Sequence, residues 1–140
     1  MDWKLELVLL PVSDVDRSKA FYIEKLGFTL DVDHRAGDAF RVVQLTPPGS
    51  GCSISIGVGI TDAAPGSVRG THLIVSDIEA AHAQLVERGV DAGDVQHFEA
   101  GGPVPGPDPE HRDYGSFVFF SDPDGNTWAV QEVRQKTSGR

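Results

Sequence analysis

The chain has 140 residues, 39% of them hydrophobic, and a formal charge of −9. That is enough apolar side chain for the core of one domain, or of two small halves that share one. The acidic balance argues against nucleic acid or an anionic membrane surface as partner, and the single cysteine, Cys52, excludes an intrachain disulfide and a zinc–thiolate cluster.

In chain order, "MDWKLELVLLPVSD" is too short in its apolar run and too acidic for a signal peptide, and its "LELVLL" reads as a strand. No stretch approaches the length of a membrane span. With the cysteine content, this predicts a cytoplasmic protein. "DVDRSKAFYIEKLGF" reads as a helix capped by Ser13 or Asp14, with Asp16 in its first turn and Lys25 in its last. Gly27 supplies the left-handed position that ends it. "FTLDVDH", the turn "RAGD", "FRVVQLT", the turn "PPGSG" and "CSISIGVG" follow as strands and turns. "TDAAPGSVRG", Thr61 to Gly70, has the composition of a linker.

The second stretch repeats the order. "THLIV" reads as a strand, and "DIEAAHAQLVERGV" as a helix capped by Ser76 or Asp77, with Glu79 and Arg88 suiting its dipole and Gly89 ending it. "VDAGDVQHF" is β-like. A Gly/Pro-rich loop then runs from Glu99 to Gly115, and "SFVFFS", the turn "DPDGN" and "TWAVQEV" close the stretch. The tail from Gln135 to Arg140 is polar.

"VSDVD" at Val12–Asp16 and "VSDIE" at Val75–Glu79 are nearly one phrase, with matching neighbours, and "PPGS" at Pro47–Ser50 stands against "PDGN" at Pro123–Asn126. The expectation is an α+β fold of two tandem βαβββ modules within one domain, 1–134. Module one covers 4–60, the linker 61–70 and module two 71–134. A sheet covered on one face by a helix must bury its other face. Two copies about an approximate two-fold do so by forming a curved half-barrel sheet, helices outside, with a concave cavity for a small molecule.

"VSDVDRSKAFYIEKLGF", "VSDIEAAHAQLVERGV" and "DPDGNTWAVQEV" resemble the vicinal oxygen chelate superfamily over roughly Leu5 to Val133. That group includes glyoxalase I, extradiol dioxygenases, and the bleomycin- and fosfomycin-resistance proteins. The resemblance implies the fold and says less about activity. Metal-dependent members carry His, Glu or Gln ligands at positions that fall here, by spacing from the motifs, on Leu7, Ser53, Thr71 and Ala129. Leucine and alanine offer no donor and hydroxyls are weak ligands, so no metal and no cofactor is expected. Glu6 and His72 stand one residue away. A one-residue shift turns a strand side chain to the other face, so both are expected on the helix side, His72 as a histidine hydrogen-bonded beneath the helix.

The same register puts Leu5, Leu7, Leu9, Ser53, Ser55, Thr71, Leu73, Val75, Ala129, Gln131 and Val133 on the concave face. Leu7, Ser53, Ser55, Thr71, Ala129 and Gln131 are its candidate ligand contacts, with Gln131 the first polar group. His111, Arg112 and Tyr114 crowd the end of the long loop and add a candidate stacking ring and candidate partners for an anionic group. Trp128 is expected in the helix-side core; Phe40 and Phe119 have no assigned face. The expected function is metal-free binding of a small organic molecule, with a cationic one compatible with the charge, as in the bleomycin-resistance type, by a homodimer. The alternative is a glyoxalase-type lyase, isomerase or dioxygenase. It would use a displaced metal site around Glu6 and His72, or acid–base catalysis by His111 or Tyr114.

Overall fold

The structure is a computed structural model that describes residues 1–134; the polar tail expected at 135–140 lies outside the described residues. Its strands are β1 (Leu7–Leu9), β2 (Thr29–Arg35), β3 (Arg41–Thr46), β4 (Ser53–Val58), β5 (Thr71–Val75), β6 (Gln96–Glu99), β7 (Gly102–Pro105), β8 (Ser116–Ser121) and β9 (Thr127–Glu132). The helices are α1 (Val15–Ala20), which continues into a π-helical turn at Phe21–Lys25, and α2 (Ile78–Glu87). The chain divides into two compact units. The first is Met1–Arg69 together with the turn Asp122–Asn126, and the second is Gly70–Ser121 together with the chain from Thr127 onward. The architecture is α+β, as expected.

In the first unit the strands run β1-β4-β3-β2, with β1 parallel to β4 and the rest antiparallel. The Asp14 side chain accepts from Arg17 N at 3.1 Å and so caps α1. Gly27, at φ 73°, ends the helical segment in the left-handed conformation that a side chain disfavours. Val43, Leu45, Ile54 and Ile56 are buried on the face under α1. The same face holds Arg41, whose guanidinium is bidentate on Asp33 and reaches Asp16 of α1 at 2.8 Å. Hydrogen bonds from Arg41 and then Lys19 hold the Asp33 carboxyl far below its ordinary range.

The "DPDGN" turn is built into this unit by its polar atoms. Asp122 Oδ1 accepts from the backbone of Asp124 and Asn126, while Oδ2 accepts from Asn126 Nδ2 and from the Tyr22 hydroxyl, both at 2.8 Å. Asn126 Nδ2 also donates to Pro11 O, and Asn126 Oδ1 accepts from Val68 N. Ser13, free of capping duty, donates from its backbone and hydroxyl to Asp124. Tyr22 and Asn126 are fully buried, so each bond replaces one that water would have made.

In the second unit the order is β5-β9-β8-β6-β7, with β5 parallel to β9. Asp77 caps α2 by accepting from Ala80 N at 3.0 Å, and Gly89 adopts φ 81°. Arg88 is the C-cap residue rather than part of the last turn. Trp128 stacks on Phe120 and is buried, as expected, together with Val118 and Val130. Glu132, fully buried on the same face, accepts from Ile78 N at the start of α2. The long loop contains a strand the sequence reading omits. β7 pairs with β6 as a hairpin, its Pro103 and Pro105 tolerated because it is the outermost strand.

Candidate functional site

Each sheet has a second face, turned away from its helix, and cross-strand partners tell which side chains share it, because paired residues project to one side. In the first unit Leu7 pairs with Ser53 and Leu9 with Ser55. Gln44, opposite Ser55, joins them. These placements agree with the expected face. Leu7, Gln44 and Thr46 are half-buried, while Ser53 and Ser55 are buried.

Their polar atoms form a directed row. Asp31, at a bulge in β2, accepts from Thr46 Oγ1. Thr46 Oγ1 has thereby used its proton, so it accepts from Ser53 Oγ at 2.7 Å. Ser53 Oγ in turn accepts from Gln44 Nε2 at 3.4 Å. Donors point along the row toward the carboxylate. The row leaves acceptor capacity at Gln44 Oε1 and on Asp31, together with the second N–H of Gln44 Nε2 as a donor.

The second unit is different. Ala129 and Gln131 lie on its open face as expected, but Thr71 does not. Thr71 pairs with Trp128 and Leu73 with Val130, so both belong to the helix face, and Val75 follows them opposite Glu132. His72, opposite Ala129, and Ile74, opposite Gln131, take the open face instead, and both are exposed. The expected parity of β5 is thus reversed. His72 is not a histidine beneath the helix; its Nδ1 lies within hydrogen-bond distance of Gly70 O.

Across β9, Phe119 pairs with Ala129 and Phe117 with Gln131, and Gln96 of β6 pairs with Phe117. Phe98, two residues after Gln96, completes a row of three rings. Phe117 and Phe119 are nearly parallel, 7° between planes and 5.6 Å between centroids; Phe98 meets Phe117 edge-on at 5.2 Å and 82°. Phe98 is 50% and Phe119 40% exposed. Ala129, the cross-strand partner of Phe119, is itself buried. This row is what sequence reasoning missed. Its signal was the alternation in "SFVFFS", which becomes readable only once β8 is registered on β9.

The loop candidates separate. His111 Nδ1 bonds Glu132 Oε1 at 2.8 Å, so His111 is committed to a helix-face carboxylate. Arg112 is taken up by Asp108, whose two carboxylate oxygens share Nη1 at 3.1 and 3.2 Å, and by Glu110, which accepts from Nη2. Tyr114 is the one that adjoins the open face, since its carbonyl accepts from Gln131 Nε2 at 3.5 Å. His111 and Tyr114 have φ of 48° and 65°, so the loop is held in conformations non-glycine residues rarely adopt. The edge of the sheet is braced by His97. Its Nδ1 reaches Gly106 O and its Nε2 reaches Glu99, both at 2.8 Å. These contacts, the Gly106 carbonyl foremost, push the His97 pKa up.

A metal centre of the kind the resemblance implies does not fit these residues. Of the open-face side chains at or beside the matched positions, Leu7 and Ser53 in the first unit and His72 and Ala129 in the second, only His72 is a good ligand. Glu6 lies outside β1. Among the described residues no three His, Cys, Asp or Glu side chains come together as a metal-binding group.

With the modules and their faces established, the class follows. The profile of the Glyoxalase/Bleomycin resistance protein/Dioxygenase superfamily matches residues 4–130, and the chain belongs to this superfamily. Among solved structures it is similar to TnmS3, an antibiotic binding protein from Streptomyces sp. CB03234, at 34% identity, covering 94% of this chain and 96% of that one with a TM-score of 0.73. It is also similar to a glyoxalase/bleomycin resistance protein from the same strain, at 34% identity, 92% and 100% coverage and a TM-score of 0.70. A superfamily member from Sphaerobacter thermophilus DSM 20745 matches at 27% identity, 94% and 98% coverage and a TM-score of 0.73. No curated protein matches the chain. No described helix is long and apolar enough to cross a membrane.

Proposed function

We propose that this protein binds a small organic molecule with a flat unsaturated ring system, holds it without a metal ion, and acts by sequestration in the manner of an antibiotic-binding protein. The observation that carries the reading is the half-exposed row Phe98–Phe117–Phe119 beside Gln131. A flat ring extends a stack of this kind through dispersion and quadrupole complementarity, and Gln131 supplies a hydrogen bond that fixes orientation. The net acidic charge suits a ligand bearing an ammonium group. The 34% identity to an antibiotic binding protein supports the same class. A cytoplasmic homodimer remains part of the proposal.

The test is a panel of flat polycyclic antibiotics, scored by thermal stabilisation and by product analysis. Binding raises the melting temperature in proportion to ligand concentration over Kd and leaves the compound unchanged. Multiple-turnover conversion of a bound compound would sink the sequestration reading. It would favour an enzyme, for which one observation speaks: the imidazole of His111 is oriented by the buried Glu132, as in a general acid–base pair.

A further inference from the structure

Glu132 is fully buried at the end of β9, and both its carboxylate oxygens are engaged. Oε2 accepts from Ile78 N at 2.9 Å, and Oε1 lies 2.8 Å from His111 Nδ1. A carboxylate only accepts, so in the neutral ring Nδ1 carries the proton and Nε2 keeps a lone pair. Among the described residues Nε2 has no hydrogen-bond partner. Arg134 Nε reaches the same Glu132 oxygen at 3.5 Å, and the two terminal nitrogens of its guanidinium have no partner among the described residues either.

The loop holds His111 in place. Asp108, itself buried, accepts from the backbone of Glu110 and Arg112 through its side chain, and from His111 N through its carbonyl at 2.9 Å. Tyr114 N donates to Glu132 O and Arg134 N to Asp113 Oδ1, both at 2.8 Å. Inside this frame His111 keeps its φ of 48°, a strain that persists in a non-glycine residue only where surrounding bonds overdetermine it. Glu110, His111, Arg112, Asp113 and Arg134 line a recess of about 400 Å³, large enough for a small molecule. With the Glu110, Arg112 and Arg134 side chains 70%, 65% and 49% exposed, the recess is open to water. None of these lining residues carries a hydroxyl or thiol, so the nucleophile at hand is water.

We propose that this recess is a hydrolytic site for small acyl esters, with His111 as general base, Glu132 as its positioning residue and Arg134 as donor to the developing oxyanion. Glu132 lies on the helix side of β9, whereas Gln131 and the phenylalanine row lie on the open side. The inference therefore goes beyond the ligand reading and does not depend on it. His111 Nε2 takes a proton from water as the water oxygen bonds to the acyl carbon, and the carbonyl electron pair moves onto its oxygen beside the Arg134 guanidinium. The tetrahedral intermediate then collapses. The bond from the acyl carbon to the alkoxy oxygen breaks, and the imidazolium returns the proton to that oxygen. A carboxylic acid and an alcohol leave, and His111 is neutral again. Glu132 fixes the tautomer that this needs and steadies the imidazolium.

Steady-state hydrolysis of para-nitrophenyl acetate by the full chain tests this. His34→Gln controls for ordinary surface imidazole, because His34 is exposed on β2. The expected result is saturable, multiple-turnover hydrolysis whose kcat falls at least about tenfold in His111→Gln and not at all in His34→Gln. Glu132→Gln is the sharper variant. Its amide still accepts from Ile78 N but donates to His111 Nδ1, which moves the ring proton to Nε2. Here kcat falls at least about tenfold while KM and the melting curve stay unchanged, and nitrogen NMR of the imidazole shows the switched tautomer. Absence of saturable hydrolysis overturns the proposal, as does an equal loss in His34→Gln and His111→Gln, or a rate that survives the switched tautomer. His111 is partly exposed, so His111→Gln decides the question even where Glu132→Gln unfolds. Ring-ligand stabilisation measured in parallel on the unsubstituted protein reports on the other side of the sheet, so either reading can fail alone.

Discussion

The two sheets have helix faces built on the same plan and open faces built on opposite ones. Each helix starts at an aspartate cap and ends at a glycine in the left-handed conformation, Asp14 and Gly27 in one unit, Asp77 and Gly89 in the other. Each unit also buries a carboxylate that serves its helical segment, Asp122 on the Tyr22 hydroxyl in one and Glu132 on Ile78 N in the other. On the open faces the first unit has Gln44, Thr46, Ser53 and Asp31 joined by hydrogen bonds, and the second has three phenylalanine rings. The features that the two units share are those that folding needs, because a cap or a buried carboxylate loses most of its value when one partner changes. The open faces carry no such constraint and are free to specialise, one for polar groups and one for rings.

Breaking the frame has the largest expected effect. Asn126→Ala removes three side-chain hydrogen bonds around a buried turn and lowers the unfolding free energy by about 3 kcal/mol. Urea denaturation followed by circular dichroism reads this, and a loss below about 1 kcal/mol would show that the turn is held by something else. Next comes the aromatic face. Phe117→Ala removes the ring that touches both neighbours and weakens ligand binding by about 2 kcal/mol, roughly thirtyfold, in calorimetric titration. Equal affinity in this variant would remove the row from the site.

Thr46→Val interrupts the polar row while keeping the shape of the side chain. It leaves Asp31 and Ser53 each short of a partner and lowers the unfolding free energy by about 1 kcal/mol, which urea denaturation reads; an unchanged value would show that water replaces both bonds. The smallest effect is on pH. The raised His97 pKa means the folded state binds this proton more tightly than the unfolded chain, whose value is near 6.5. The resulting stabilisation is complete below that value and fades as pH rises through the folded one. Denaturation midpoints should fall modestly across this alkaline flank, and His97→Gln should flatten the slope. Asp108 moves the other way. Burial alone would raise its pKa, but backbone hydrogen bonds from Arg112 and Glu110 and the nearby Arg112 charge outweigh it.

Local signals made the modules legible. Aspartate caps, Gly27, Gly89 and the two Pro/Gly turns act within a few residues, so composition reveals them. Face assignment in β5 was not legible, because it depends on an odd or even count to the helix cap. Leu7 stands seven residues before Asp14 and its counterpart His72 five before Asp77. An even offset of six, which the resemblance implies for the second module, selects Thr71 and the wrong face. The "GGPVPG" stretch reads as loop because proline cannot sit in an inner strand, and nothing local says that the strand is outermost. His111 and Arg112 looked available for a ligand because Glu132, 21 positions from His111, and Asp108 are partners only in three dimensions.

The turn at Asp122–Asn126 is encoded near the end of the chain and completes the first unit. A ribosome that has delivered everything up to Arg69 has therefore produced a half whose Tyr22 hydroxyl and Pro11 carbonyl still await their counterparts. That half stays incomplete until more than fifty further residues have emerged, and a cut in the linker would part it from the turn that completes it. The order in which the gene is read and the order in which the protein sets are not the same.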